Sequence, residues 1–238
     1  MIFEDIIKKI TDCVFPIRCA ICDEPVVQDE LICVSCRERV KIRYSDTCQK
    51  CGKYVNDSDK IFCFDCSRKI HEFDRGFSIF EYQQIKSSLY RFKYSGRAEY
   101  ARYYAQEGYN RYKDMIAKLE VDALIPVPIH KSRKRERGYN QAYILAKELS
   151  RLSGIPVVDN FIIRKKATIP LKFLDEKGRV NNLKKAFTMG SNSVKLRTII
   201  VIDDIYTTGA TIDEISRLCR RAGVINIYFL TVASGKGL

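Results

Sequence analysis

The 238-residue sequence is short of acid, short of histidine and free of long apolar runs. No apolar stretch approaches the ~20 residues that cross a bilayer as a helix, so no transmembrane segment is expected. Histidine occurs only as His71 and His130. No Ser–His or Cys–His arrangement can be read from so few, and no activated nucleophile is named. His130 reads as a surface residue. There is no Gly-Lys-Ser/Thr loop and no G-x-G-x-x-G, so the P-loop and the dinucleotide fingerprint are both excluded. No low-complexity segment interrupts the chain. Asp and Glu total 29 against 42 Lys and Arg, a formal net charge of +13. That deficit of acid favours association with polyanions, or else is only a solvated basic surface; composition leaves both open.

What the sequence does have is cysteine, and nearly all of it early. Nine of the ten cysteines precede residue 67, and eight form four C-x-x-C pairs: Cys19 and Cys22, Cys33 and Cys36, Cys48 and Cys51, Cys63 and Cys66. In a cytosolic chain this pattern points to metal, not disulfides. Two knuckles close one tetrahedral four-thiolate zinc site, which is structural because no position is left for substrate. Two zinc ions per chain are expected. Sequential pairing gives two ribbons and interleaved pairing a cross-brace; similar loop lengths favour the sequential arrangement. Gly52, following a knuckle, suits a turn. So small a region buries little core, and metal would supply much of its folding energy. Arg37, Arg39, Lys41, Arg43 and Tyr44 between the knuckles read as a nucleic-acid strand or a solvated linker. Ahead of the ribbons, Met1 to Phe15 has the spacing of an amphipathic helix, not of a signal peptide. The reading is of a cytoplasmic protein, with a peripheral position at the inner face of the membrane as the alternative.

From residue 67 the pattern becomes α/β. Ser67–Asp74 reads as a linker, giving residues 1–70 to the helix and ribbons and 71–238 to a second domain. A strand is expected over Arg75–Tyr82. A helix through Ile85, Leu89 and Phe92 should end at Gly96, and a tyrosine-rich helix should run from Glu99 to Leu119. Val121–Ile129 is a buried strand stiffened by Pro126 and Pro128. After it comes a basic run with Lys131, Arg133 and Arg137, then an amphipathic helix through Ala142, Leu145, Ala146 and Leu149. The basic run reads as a solvated loop unless a ligand holds it; its place at the carboxyl end of a strand argues for a ligand such as pyrophosphate. Ile225–Val232 is a last strand, expected near the sheet edge from its partial alternation.

The stretch that organises the rest is Ile199 to Thr211: an apolar strand, the carboxylates Asp203 and Asp204, then Tyr206-Thr207-Thr208-Gly209-Ala210-Thr211 opening a helix. Helix N-termini offer free N–H groups to phosphate, and carboxylates accept from sugar hydroxyls, so the pattern suits a ribose phosphate. A plain strand–loop–helix corner is the other reading.

This stretch resembles the ribose-phosphate loop of type I phosphoribosyltransferases. With Pro126-Val127-Pro128, Arg137-Gly138-Tyr139-Asn140-Gln141, Arg164, Thr168, Pro170, Leu174, Arg179, Asn182, Ala186 and Phe187, the chain resembles the ComF (ComFC) family, whose usual layout is a double zinc ribbon before a transferase-like domain. Leu171 stands where that family commonly carries Gln. The resemblance implies a type I phosphoribosyltransferase-like fold that binds phosphoribosyl pyrophosphate with magnesium. It places Asp203 and Asp204, the candidate catalytic residues, on the ribose hydroxyls and residues 206–211 on the 5′-phosphate, with pyrophosphate against Lys131, Arg133 and Arg137. It implies a role in DNA uptake. The chain would be either a phosphoribosyltransferase with an acceptor that the sequence does not name, or a ligand-sensing single-stranded DNA-binding protein. Its partners would be single-stranded DNA and other uptake proteins, a helicase among them.

Overall fold

A computed structural model describes residues 16–27, 30–40, 47–55, 60–165, 186–190 and 195–235. The stretch Met1 to Phe15, Lys41, Arg43 and Tyr44, and the positions from Thr168 to Asn182 lie outside the described residues. In chain order the elements are α1 (Val34–Arg39), α2 (Phe64–Arg68), β1 (Arg75–Glu81), α3 (Tyr82–Tyr94), α4 (Tyr100–Lys118), β2 (Ala123–Pro126), α5 (Lys131–Arg137), α6 (Gln141–Ser153), β3 (Ile162–Arg164), β4 (Phe187–Met189), β5 (Thr198–Tyr206), α7 (Ala210–Arg221) and β6 (Asn226–Ser234). β1, β6, β5 and β2, in that order, form a wholly parallel sheet. β3 and β4 make a separate antiparallel pair.

Alternate residues of a strand face opposite sides of a sheet, and the core divides accordingly. Ile200, Ile202, Leu230 and Val232 pack with α3, α4 and most of α6, and with Cys19, Ala20, Ile21 and Cys36 of the first cysteine-rich segment. Ile199, Val201, Ile227 and Phe229 pack with α7, with β3 and β4, and with Cys48, Cys51, Val55 and Cys63 of the second. The N-terminal region is thus built into both faces of the sheet.

Three expectations need correction. The last strand is interior, hydrogen-bonded to β1 on one side and β5 on the other; its partial alternation reflects how its two faces are covered and says nothing about edges. The basic run is not a loop but the short helix α5, since Lys and Arg are good helix formers. His130 is its N-cap, Nδ1 accepting from Ser132 N–H at 3.3 Å, and Gly138 closes it in the left-handed region at φ +82°. So His130 is half-buried and has a capping role. The segment read as a linker is packed: Phe73 is buried between the sheet and the second ribbon, and Asp74 N–H donates to Ile227 O at 2.8 Å.

The edge of β1 is closed by the second ribbon. Gly76 N–H donates to Lys50 O at 2.8 Å, and Tyr54 Oη donates to Ile79 O at 3.0 Å. This approach is close enough to require glycine: a Cβ on Gly52 would lie 2.7 Å from Gly76 O, and Gly52 has φ +71°. A Cβ on Gly76 would run into the ring of Phe229. Gly76→Ala should therefore cost about 1–3 kcal/mol through overpacking, which is several degrees of melting temperature at this chain length. A thermal melt of the variant checks it, and an unchanged midpoint contradicts the packing described.

Candidate functional site

The four knuckles come together in sequence order. The ligand atoms of Cys19, Cys22, Cys33 and Cys36 all lie within 4.8 Å of one another, and so do those of Cys48, Cys51, Cys63 and Cys66. The two sets share one local design. Bridges pair Arg18 with Pro25 and Thr47 with Tyr54 around the first knuckle of each set. The residue after each of these knuckles, Asp23 (φ +74°) or Gly52 (φ +71°), turns the chain in the left-handed region. Its N–H returns to the first cysteine, Asp23 to Cys19 O at 3.0 Å and Gly52 to Cys48 O at 2.8 Å. The third cysteine, Cys33 or Cys63, caps a short helix. Four soft thiolates gathered in this way fit a closed, tetrahedral structural zinc site.

The acidic pair stands at the carboxyl end of β5. The strand does not stop before it, as the composition suggested, but continues through Asp203 and Asp204 to Tyr206, paired to β6 throughout. Its other neighbour stops earlier. β2 pairs as far as Pro126 with Ile202, Val127 N–H still donates to Ile202 O at 2.9 Å, and Pro128 has no N–H to carry the ladder on. Asp203 therefore lies beyond the last paired residue of β2, at the strand ends where parallel sheets bind ligands.

Cations gather at this end of the sheet from α3, β3 and α5. Lys93, at the end of α3, places Nζ 2.9 Å from Asp204 Oδ2, and both side chains are largely buried. Asp203 accepts from Asp204 N–H at 2.8 Å. Burial, then the neighbouring Asp204 charge, push the Asp203 carboxyl up to about 7; Lys93 and Arg164 oppose the shift. Arg164, on β3, is brought down to about 10 by burial and by the nearby Arg133 and Arg137, while Asp203 pulls the other way. Arg137 stacks over Tyr94 at 4.9 Å and donates to Gln141 Oε1 at 3.1 Å. Lys93 and Arg164 thus lie near one carboxylate pair, and Arg133 and Arg137 lie near Arg164, a concentration of positive charge suited to a polyanion. Lys131 is exposed at the start of α5.

The loop after β5 delivers the N-terminus of α7. Gly209 is its N-cap at φ +80°, and Asp213 N–H donates to Gly209 O at 2.8 Å. The first N–H groups of a helix lack intrahelical acceptors and carry the positive end of the dipole. Thr207 is exposed, and Thr208 and Thr211 are half-buried. Tyr206 and Ala210 differ. The Tyr206 ring is buried and stacks on Phe229 at 4.7 Å, and Ala210 is buried in the same core. Any part these two take in ligand binding belongs to their backbone.

Two contributors had weak sequence signals. Lys93 reads as an ordinary cationic helix end, and only the fold brings it to Asp204. Arg164 sits outside the basic run, in a strand of three residues, and was noted only as part of the family resemblance. His71 had no signal at all, although it is buried against Asp213.

Two measurements test these sites. Metal analysis of the purified chain should find two zinc ions; a single ion would break the two-ribbon arrangement. The second concerns Asp203. Its folded-state carboxyl titrates above the ordinary value near 4, so the native state holds the extra proton and stability falls as pH rises from about 4 to 7. Asp203→Asn should therefore stabilise the ligand-free protein at pH 8 by about 1–3 kcal/mol, with little gain at pH 4. Urea melts at the two pH values read this out, and an equal loss at both would contradict the assignment.

Comparison with known proteins agrees with this architecture. A family model described as a double zinc ribbon domain matches residues 10–67. The chain is 31% identical to Competence protein F of Haemophilus influenzae over 82% of this chain and 93% of that protein. It is 30% identical to Competence protein ComFC of Bacillus subtilis, over 86% and 89% respectively. It is also 29% identical to the DNA utilization protein YhgH of Escherichia coli K12, over 87% and 92%. A paired-ribbon N-terminus, a parallel α/β body and relatives matched along most of both chains make this protein a member of the ComF family.

Proposed function

We propose that this chain binds phosphoribosyl pyrophosphate with magnesium at the carboxyl end of β5 and transfers the phosphoribosyl group in the course of DNA uptake. The observation that carries the reading is the largely buried Asp203–Asp204 pair with Lys93 on one carboxylate, Arg164 near Asp203, and Arg133 and Arg137 near Arg164. A carboxylate pair is what two ribose hydroxyls need as acceptors, and clustered guanidinium groups are what a pyrophosphate needs as donors. The Thr-rich loop at the α7 N-terminus suits the remaining phosphate. The names of the relatives, competence and DNA utilization proteins, support the cellular role.

The chain's own residues do positional and electrostatic work. Asp203 and Asp204 orient the sugar and lie near positive charge developing at its anomeric carbon. Arg133, Arg137 and Arg164 hold the leaving pyrophosphate and balance its charge. The oxygen donors of the site are hard ligands of the kind magnesium takes, directly or through water. When bound, magnesium neutralises charge on the leaving group. Bound polyanion also changes Asp203: by drawing the surrounding cations to itself it competes for the groups that favour the ionised carboxyl.

Phosphoribosyl pyrophosphate with magnesium, at about 100 times its dissociation constant, should add about 2.7 kcal/mol, a rise of roughly 5–10 °C in melting temperature. Asp203→Asn with Asp204→Asn should abolish the rise. No shift in the wild type at millimolar ligand would sink the site assignment.

A second reading is favoured by a separate observation. Tyr90 and Tyr94 are exposed on α3, their ring centroids 5.1 Å apart, with Arg137 over Tyr94. Two exposed rings beside a guanidinium suit unpaired bases, and the chain is basic overall. In this reading the ligand is sensed, not consumed, and the protein holds single-stranded DNA. The doubly substituted Asp203/Asp204 variant separates the two: retained DNA uptake favours the binding protein, and lost uptake with unchanged DNA affinity favours a required ligand-dependent step.

A further inference from the structure

The segment between the second ribbon and β1 is laced along α7, the helix whose N-terminus forms the loop just assigned to phosphate. Three rungs hold it. Asp213 takes His71 Nδ1 at 2.9 and 3.1 Å on its two oxygens, Glu72 N–H at 3.1 Å and Lys69 Nζ at 3.5 Å. Arg217 Nε lies 3.4 Å from Glu72 Oε1. Arg220 donates to both oxygens of Asp74 at 2.8 Å. Positions 213, 217 and 220 fall on one face of the helix.

The first rung differs from the others. The outer two are partly exposed ion pairs, which contribute little. The His71–Asp213 pair is buried, with no exposed surface on the His71 side chain. Asp213 also donates its own N–H to Gly209 O, so a single residue grips the loop with its backbone and the strap with its carboxylate. The fit is close from above as well. A Cβ on Gly209 would lie 3.0 Å from His71 Cε1 and 2.6 Å from Tyr206 Oη. With Nδ1–H donating to Asp213, His71 Nε2 is left buried without a partner. A plain packing role would be filled at less cost by an apolar side chain, because an unpaired buried nitrogen is destabilising. What an apolar residue cannot supply is a directed N–H to the carboxylate beneath the loop.

The strap starts in the second ribbon. Cys66 lies in α2, whose C-cap is Lys69, and His71 follows two residues later. His71 stacks on Phe73 at 4.7 Å, and Phe73 meets Tyr206 and Phe229 edge-on. We propose that His71 is a positioning residue: through Asp213 it fixes the loop 207–211, so that an ordered second ribbon sets the affinity of that loop for a phosphorylated ligand. This rests on the phosphate reading of the loop for its second half only; the ordering of the loop by the strap stands apart from it.

The experiment uses the full zinc-loaded chain. Amide hydrogen exchange is followed by mass spectrometry in the wild type, His71→Ala, His71→Asn and Arg220→Ala, and binding of phosphoribosyl pyrophosphate with magnesium is measured by calorimetry. His71→Ala should speed exchange over residues 207–213 at least tenfold while β5 and β6 stay protected, and should weaken binding about tenfold. His71→Asn keeps an N–H donor and should recover most of both. Arg220→Ala, an outer rung, should change neither. If His71→Ala does not fold, the Asn variant and Asp213→Asn give the same two readouts. Unchanged loop exchange overturns the proposal, as does faster exchange with undiminished affinity. Faster loop exchange in a protein whose wild type binds no ligand upholds the ordering of the loop and instead removes the phosphate reading.

Discussion

A parallel sheet must be covered on both faces, because its strands carry no solvent-tolerant side. That requirement shapes this chain. On one face α3, α4 and α6 supply helical cover, and the first ribbon fills in beside them. On the other face the only long helix among the described residues is α7, so the second ribbon, Phe73 and the β3–β4 pair complete the layer. Cover of this kind comes from segments too small to hold a core of their own. Four thiolates gathered on a metal would fix them in shape, and the folding energy of each such site would pass into the packing of the sheet. The ribbons are therefore part of the core and do not behave as an appended module.

The same architecture explains why two carboxylates can sit side by side in a partly buried place. β5 runs between two neighbours of unequal length. β6 accompanies it to Tyr206, holding the backbone of the acidic pair rigid, while Pro126 ends β2 at the level of Ile202. The rigid side fixes where Asp203 and Asp204 point, and the open side admits the cations of α5 and β3 together with any ligand. Burial disfavours the charged form, and a like charge so close adds to it, which is why the Asp203 carboxyl is held up to about 7. The cations that relieve this repulsion are the groups a polyanion would recruit. Site strain and ligand recruitment thus arise from one arrangement, as is common where activity and stability compete.

Much of this was legible in the sequence because it rests on local chemistry. The cysteine pairs declare themselves by spacing. The run Ile199–Ile202 declares a buried strand by composition, α3 follows from apolar periodicity and the stop at Gly96, and α4 and α6 follow from periodicity. What could not be read depends on distant neighbours. The interior place of β6 is a matter of strand order, which no periodicity encodes. Lys93 and Arg164 become site residues only when α3 and β3 are brought to the end of β5. The segment Ser67–Asp74 looks like a linker because its residues are polar and aperiodic; its partners Asp213, Arg217 and Arg220 lie more than 140 positions away.

The two ribbons show how one local design can be put to different structural ends. Their equivalent turn positions hold Asp23 and Gly52, both in the left-handed region. Asparagine, aspartate and glycine all tolerate that conformation, so the backbone alone does not decide between them. The surroundings do. Asp23 faces room and cations: Arg97 meets it at 2.8 Å, and Tyr100 donates to it, which pins the first ribbon to the start of α4. Gly52 has no such room, since Gly76 O of β1 occupies the space a side chain would need. The first ribbon is therefore fastened by side-chain electrostatics and the second by direct backbone contact with the sheet edge. Backbone contact is the stiffer of the two, because it leaves no rotamers to relax. It is the second ribbon that continues into the strap beneath the α7 loop, where a small displacement would be carried straight to the first N–H groups of the helix.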